Sequence, residues 1–259
     1  MNRAMRCTRK SDLAVLTLAA AFLALGLSAV GPSGRDRAQR AVCSVHLRQM
    51  TQAWSLYADD NDGKIVNGDP GEYTSMVAPG LAPELSHYQE VPWVFRDWMS
   101  DATLETKRQA ILQGALFPYT AELRLYRCPL AEPNERRSYL LADSMNCRGW
   151  APGVMIKNRV EIQRPGERFV YVDHGGTGQA ALAGWTCYVT EDRWWDPPAL
   201  RHNEGTNVSF ADGHGEHWMW SDPRSVEFGR LKKAYSGSQP GNQDIRRAQV
   251  AVWGEVARR

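Results

Sequence analysis

The chain has 259 residues and a formal charge of +2, with 43% hydrophobic and 10% aromatic residues, enough for one sizeable folded domain or two small ones. That balance excludes an intrinsically disordered chain. The charge is mixed, with no basic block after the first ten residues, which argues against nucleic acid as a partner.

In chain order, Arg3, Arg6, Arg9 and Lys10 precede Leu13–Val30, eighteen residues without a charge. An apolar run of this length is at the short end for spanning a bilayer. Basic residues ahead of it favour a cytoplasmic N-terminus. Residues 1–12 therefore read as a cytoplasmic basic leader and 13–30 as a transmembrane anchor. The protein is expected in the inner membrane by a single pass, with 31–259 periplasmic or extracellular. A cleaved signal peptide shares the basic start, but Leu27-Ser28-Ala29 puts leucine where such a site prefers a small residue. The retained anchor is the preferred reading.

Gly31-Pro32-Ser33-Gly34 is expected to interrupt the helix, after which an amphipathic helix runs over 35–58, about 35 Å long. Cys43, Leu47, Met50, Trp54 and Tyr57 recur on one face; Arg40, Ser44, Arg48, Gln52 and Ser55 lie on the other. Asp59-Asp60-Asn61-Asp62-Gly63 ends the helix. Aligned on its glycine, a calcium loop would need Asp where Ala58 stands, so a solvated turn is expected.

Residues 64–100 read as loop with short extended pieces, and Leu104–Gln113 as a helix ended by Gly114. Tyr126-Arg127-Cys128-Pro129 is extended by the proline rule. Phe169–Val172 and Thr186–Thr190 have strand composition. Asn207–Ala211 and Glu216–Trp220 flank Asp212-Gly213-His214-Gly215, a hairpin signal. A last helix over Gln243–Trp253 follows Asn242 as N-cap and stops before Gly254. Strands without intervening helices predict an antiparallel sheet in an α+β fold.

Cys7 precedes the apolar run; Cys43, Cys128, Cys147 and Cys187 form an even set that allows two disulfides in three connectivities. A Cys43–Cys128 bond would staple helix to sheet, contributing about 2–4 kcal/mol, with Cys147–Cys187 as the second. His202 and Asp212 suggest an acid–base pair, but the strand between them would hold their side chains well apart. His202, His214, His217 and His174 could join Asp173 or Asp212 around a metal. His214 and His217 straddle a hairpin and point to opposite faces, so neither metal nor cofactor is expected. There is no phosphate-binding glycine loop and no Gly-x-Ser-x-Gly elbow. Trp194, Trp195, Trp218 and Trp220 cluster around the hairpin, as core or as an exposed platform for sugars.

Several segments occur together in order: Ala41-Val42-Cys43 through Leu47-Arg48-Gln49, Tyr57 through Gly63, Tyr126-Arg127-Cys128-Pro129, Ser144-Met145-Asn146, and Trp194-Trp195-Asp196-Pro197-Pro198. They are followed by His202, nine residues, then Asp212-Gly213. This combination resembles a family of type IV pilin-like and pseudopilin proteins, abundant in planctomycete-type bacteria, with a prepilin-like N-terminus and a C-terminal His-x9-Asp-Gly signature (His202, Asp212, Gly213). The resemblance implies a pilin-like fold, a long N-terminal helix with a membrane half and an amphipathic half, the latter packed on an antiparallel sheet. It implies a non-catalytic, membrane-anchored component of a type II secretion or type IV pilus-related system, in homo- or hetero-oligomeric assembly. The stretch Lys10-Ser11-Asp12-Leu13 departs from the family, lacking the glycine of the prepilin processing site, and the apolar run carries no glutamate. Two other readings stay open: an exported carbohydrate-binding module facing polysaccharide through the tryptophans, and a metal-dependent hydrolase using His202, His214 and a carboxylate.

Overall fold

A computed structural model describes residues 32–69, 90–95, 102–147, 155–174 and 184–258. The chain divides into two compact units, Met1–Ala41 and Val42–Arg259. The expected leader, the run Leu13–Val30 and Cys7 lie outside the described residues. Among the described residues, no helix is long and apolar enough to cross a membrane. This corrects the single-pass inner-membrane placement. The longest described helix, α1 (Pro32–Asp60), carries Arg35, Asp36, Arg37, Arg40 and Arg48 along its length, charges that a hydrocarbon layer disfavours.

Helix α1 starts at Pro32, so proline opens the helix instead of breaking it; its fixed φ and missing N–H suit the first turn. Cys43, Leu47, Met50 and Trp54 are buried at the expected helical steps, and Ala58 extends that face while Tyr57 is half-buried. Gly63, at φ +79°, closes the C-terminus by donating its N–H to the Ala58 carbonyl at 2.8 Å. The acidic turn is engaged locally: Asp59 pairs with Arg159, and the Tyr119 hydroxyl donates to Asp60 at 3.1 Å.

Downstream come α2 (Leu104–Leu112), capped by the Thr103 side chain, and the short α3 (Phe117–Thr120). Four strands follow, β1 (Tyr139–Leu141), β2 (Phe169–Asp173), β3 (Gly205–Phe210) and β4 (Gly215–Met219), in spatial order β1-β2-β3-β4 with every pair antiparallel. The chain ends in α4 (Pro223–Leu231) and α5 (Gln243–Trp253). The architecture is α+β, as expected. Helix α4 is an addition to the expected elements, although Asp222-Pro223 is an N-cap followed by proline at the first helical position. Thr186–Thr190 is not a strand; only isolated bridges form at Trp185 and Cys187. The Thr186 N–H donates to the Asp196 carboxylate at 2.8 Å instead of to a ladder carbonyl.

Strands β2 and β3 are buried along their whole length, which requires cover on both faces. One face meets α1. Tyr139, Asp173, Tyr171 and Ser209 share that face by register, and the Thr51 and Ser209 hydroxyls are hydrogen-bonded at 2.7 Å. A register shift between Phe169 and Tyr171 leaves the Tyr171 N–H to donate to Ser209 Oγ at 3.3 Å. The opposite face of the β3–β4 hairpin meets α5, where the Arg247 guanidinium lies 3.5 Å from the Trp218 ring centroid. The hairpin turns through Gly213 at φ +94°, a conformation glycine adopts without strain.

Candidate metal centre

Four chemically active side chains meet in the seam between α1 and the sheet. Helix periodicity points Cys43 inward from α1. Cys128 follows the 3₁₀ turn Leu123–Tyr126 and precedes Pro129. Asp173 ends β2. His202 stands just before β3, brought there by Asn203 and Glu204, both at positive φ (56° and 58°), so the chain doubles back and the His202 N–H donates to the Gly205 carbonyl at 3.3 Å.

All four residues are buried, and one ligand atom from each lies within 4.8 Å of the others. Cys43 Sγ donates to Asp173 Oδ2 at 3.5 Å, Cys128 Sγ lies 3.3 Å from His202 Nε2, and His202 Nε2 is 3.4 Å from Asp173 Oδ2. Around them, the Tyr139 hydroxyl donates to Cys43 Sγ and the Leu130 N–H to Cys128 Sγ, each at 3.4 Å. Arg201 reaches Asp173 Oδ1 at 3.7 Å and is itself held by Glu135. The Thr206 hydroxyl donates to the Asp173 carbonyl at 2.7 Å, fixing the strand end.

The electrostatics follow from this crowding. Burial pushes the Cys43 thiol well above its usual range, and its bond to Cys128 adds to the shift. Cys128 is drawn down to about 7 because Cys43 and His202 hydrogen-bond to its sulfur against the burial penalty. For His202, burial disfavours the charged ring, but Asp173 and Cys128 outweigh it and raise the value to about 9. Burial likewise opposes the Asp173 charge, yet His202 and Arg201 hold it down to about 2.

This arrangement is not a nucleophilic triad. A triad histidine faces its acid through one ring nitrogen and its nucleophile through the other. Here Nε2 faces both Cys128 and Asp173, while Nδ1 is buried without a hydrogen-bond partner. Donors converging on one point have the arrangement that could hold a metal ion.

The expected site residues are redistributed accordingly. Cys43, Cys128, Cys147 and Cys187 are free thiols, which corrects both disulfides. Cys43 and Cys128 are neighbours, but imidazole and carboxylate occupy the space between helix and sheet with them. Cys147 instead meets the Ala142 carbonyl at 3.6 Å, and the Trp253 indole donates to the Cys187 carbonyl at 2.8 Å.

The metal candidates His202, His214, His217 and Asp212 do not converge. His214 bonds Asp212 at 2.6 Å on the exposed hairpin turn; His217 meets Asn207 at 3.0 Å and Met219 at 3.2 Å. His202 alone of these joins the buried cluster, and Asp173 replaces Asp212 as its carboxylate.

The sugar platform is also corrected. Trp194, Trp218 and Trp220 are buried, Trp195 is half-buried, and the Trp194–Trp220 and Trp218–Trp220 planes cross at 81° and 78°. Edge-to-face packing fills a core, whereas coplanar exposed rings would be needed to stack sugars.

No family model, curated protein or solved structure matches this chain.

Proposed function

We propose that the chain is a non-catalytic structural head of pilin-like, pseudopilin-type build, serving assembly or display within a type II secretion or type IV pilus-related system. One observation carries this reading: both ends of the His-x9-Asp-Gly signature face the same helix, one in contact with it and one across a groove. His202 shares a cluster with Cys43 of α1. Asp212 and Gly213 border a groove of about 530 Å³ whose other wall is α1, through Val45, Arg48, Gln52 and Ser55. His202 is thus the signature's seat for the helix, while Asp212-Gly213 faces α1 across that open groove. The carbohydrate and hydrolase readings lose the geometry each required, an exposed tryptophan platform and a joint His202–His214 site.

Light scattering of the full chain over a concentration series, with negative-stain microscopy, tests the proposal. Val42, Val45 and Leu56 are exposed apolar side chains on one side of α1, with Gln49 and Gln52 between Val45 and Leu56. Ordered self-association weakened by Val42→Asp with Leu56→Asp is expected. A monomer at every concentration, or turnover of ester, phosphoester or glycoside substrates, would overturn it.

A further inference from the structure

We propose that Cys43, Cys128, Asp173 and His202 bind one zinc ion, which clamps α1 to the sheet. The inference goes beyond assembly and does not depend on it.

The geometry fits. Zinc–ligand bonds of about 2.0–2.3 Å in a tetrahedron place neighbouring donor atoms about 3.3–3.8 Å apart. Three of the six separations, 3.5, 3.4 and 3.3 Å along Cys43–Asp173–His202–Cys128, are of that size, and all lie within 4.8 Å. The chemistry fits as well. Two thiolates and an imidazole select zinc over magnesium or calcium, which take oxygen ligands. Four protein donors complete a tetrahedral shell, the closed form typical of a structural site.

The surroundings have the outer shell such a site uses. Tyr139 and the Leu130 N–H hydrogen-bond the two sulfurs, and Arg201 orients the carboxylate from its far oxygen. On binding, Cys43 and Cys128 release their thiol protons and the His202 ring its Nε2 proton, all to solvent, so that His202 coordinates through Nε2 and keeps one proton on Nδ1. Three anionic donors against a divalent ion leave one negative charge, which the Arg201 guanidinium faces. The donors come from α1, the turn before Pro129, the end of β2 and the approach to β3, so one ion ties together segments far apart in sequence.

The test uses the full chain purified with a reductant and without chelators. Elemental analysis is expected to find one zinc per chain. Cobalt replacement should produce thiolate-to-cobalt charge-transfer absorption and the visible bands of a tetrahedral ion. Cys128→Ser and His202→Ala should each lose that equivalent, whereas Cys187→Ser keeps it. Where a ligand variant does not fold, Tyr139→Phe retains all four donors and should weaken zinc binding about 10–100-fold in a chelator competition. Metal-free protein without cobalt–thiolate bands would overturn the proposal. So would a Cys43–Cys128 disulfide, full zinc retention in Cys128→Ser, or unchanged affinity in Tyr139→Phe. Zinc stoichiometry is independent of self-association, so a monomer that holds one zinc would overturn the assembly reading alone.

Discussion

Asp173, in the seam beneath α1, and Asp196, in the loop beyond Trp194-Trp195, are almost equally hidden, at 0% and 1% exposed. Their settings are opposite. Asp173 has His202 and Arg201 beside it, and these hold its carboxyl down to about 2 against the pull of burial. Asp196 accepts one hydrogen bond, from the Thr186 N–H, and its other oxygen is buried without a partner. Burial, reinforced by the charge of Asp143, pushes its carboxyl well above the usual range despite that bond. The two residues show that burial alone does not set the state of a carboxylate; the cations buried with it do.

The comparison breaks most visibly at Asp173. In metal-free protein, Asp173→Ala leaves Arg201 and His202 buried without their shared partner, and a loss of about 3–5 kcal/mol is expected in denaturant unfolding. A change no larger than that of an exposed aspartate would mean the seam is more hydrated than its burial implies. Asp196→Asn should act the other way. Asparagine retains an acceptor for the Thr186 N–H and removes an ionisable group that burial disfavours, against the cost of an NH2 where Oδ1 has no partner, so a gain of at most about 1 kcal/mol is expected at pH 7. Because the folded-state pKa of Asp196 lies above its unfolded value of about 3.9, its stabilising contribution is complete below that value and is lost as pH rises. The advantage of the Asp196→Asn variant should therefore vanish at about pH 4, and a pH-independent difference would contradict this assignment.

The inward face of α1 was legible because a 3.6-residue period is written in the sequence itself, from Cys43 to Trp54. The β3–β4 hairpin was legible from Asp212-Gly213, and α5 from Asn242 and Gly254 at its ends. The cluster was not. Its four donors are scattered from residue 43 to residue 202 and have no short spacing to read. The approach of His202 depends on two consecutive left-handed residues, one of them Glu204, a side chain with no special preference for that region. Cysteine identity likewise does not distinguish a disulfide from a shared ligand set, and tryptophan composition does not distinguish core from platform. What could have drawn attention to the site is an inward-facing cysteine on a helix together with Asp173 and His174 at the end of an apolar strand.

The seam also contains a neutral contact against which its charges can be measured. Ser209 accepts from the Tyr171 N–H at the bulge while bonding Thr51 on α1. Ser209→Ala removes an acceptor from that buried N–H and the partner of the Thr51 hydroxyl, and a loss of about 1–2 kcal/mol is expected by chemical denaturation. Ser209→Thr should recover part of it if the hydroxyl, rather than the side-chain volume, is responsible.

The smallest effect is expected at the exposed end of the signature, where the same pair of residue types meets water. Asp212 and His214 lie 2.6 Å apart, closer than Asp173 and His202, but their side chains are 41% and 39% exposed. Solvent and salt screen that attraction, and exposed pairs contribute at most about 1 kcal/mol. Burial opposes the Asp212 charge, but the His214 side chain and N–H together outweigh it and lower its pKa. A lowered carboxylate stabilises above its unfolded value of about 3.9 and loses that contribution as pH falls through the folded value. Asp212→Asn should therefore cost less than about 1 kcal/mol at neutral pH, shrink further in high salt and match the parent chain well below about pH 4. A loss approaching that of Asp173→Ala would show that the shorter distance, not the burial, governs the strength of these two pairs.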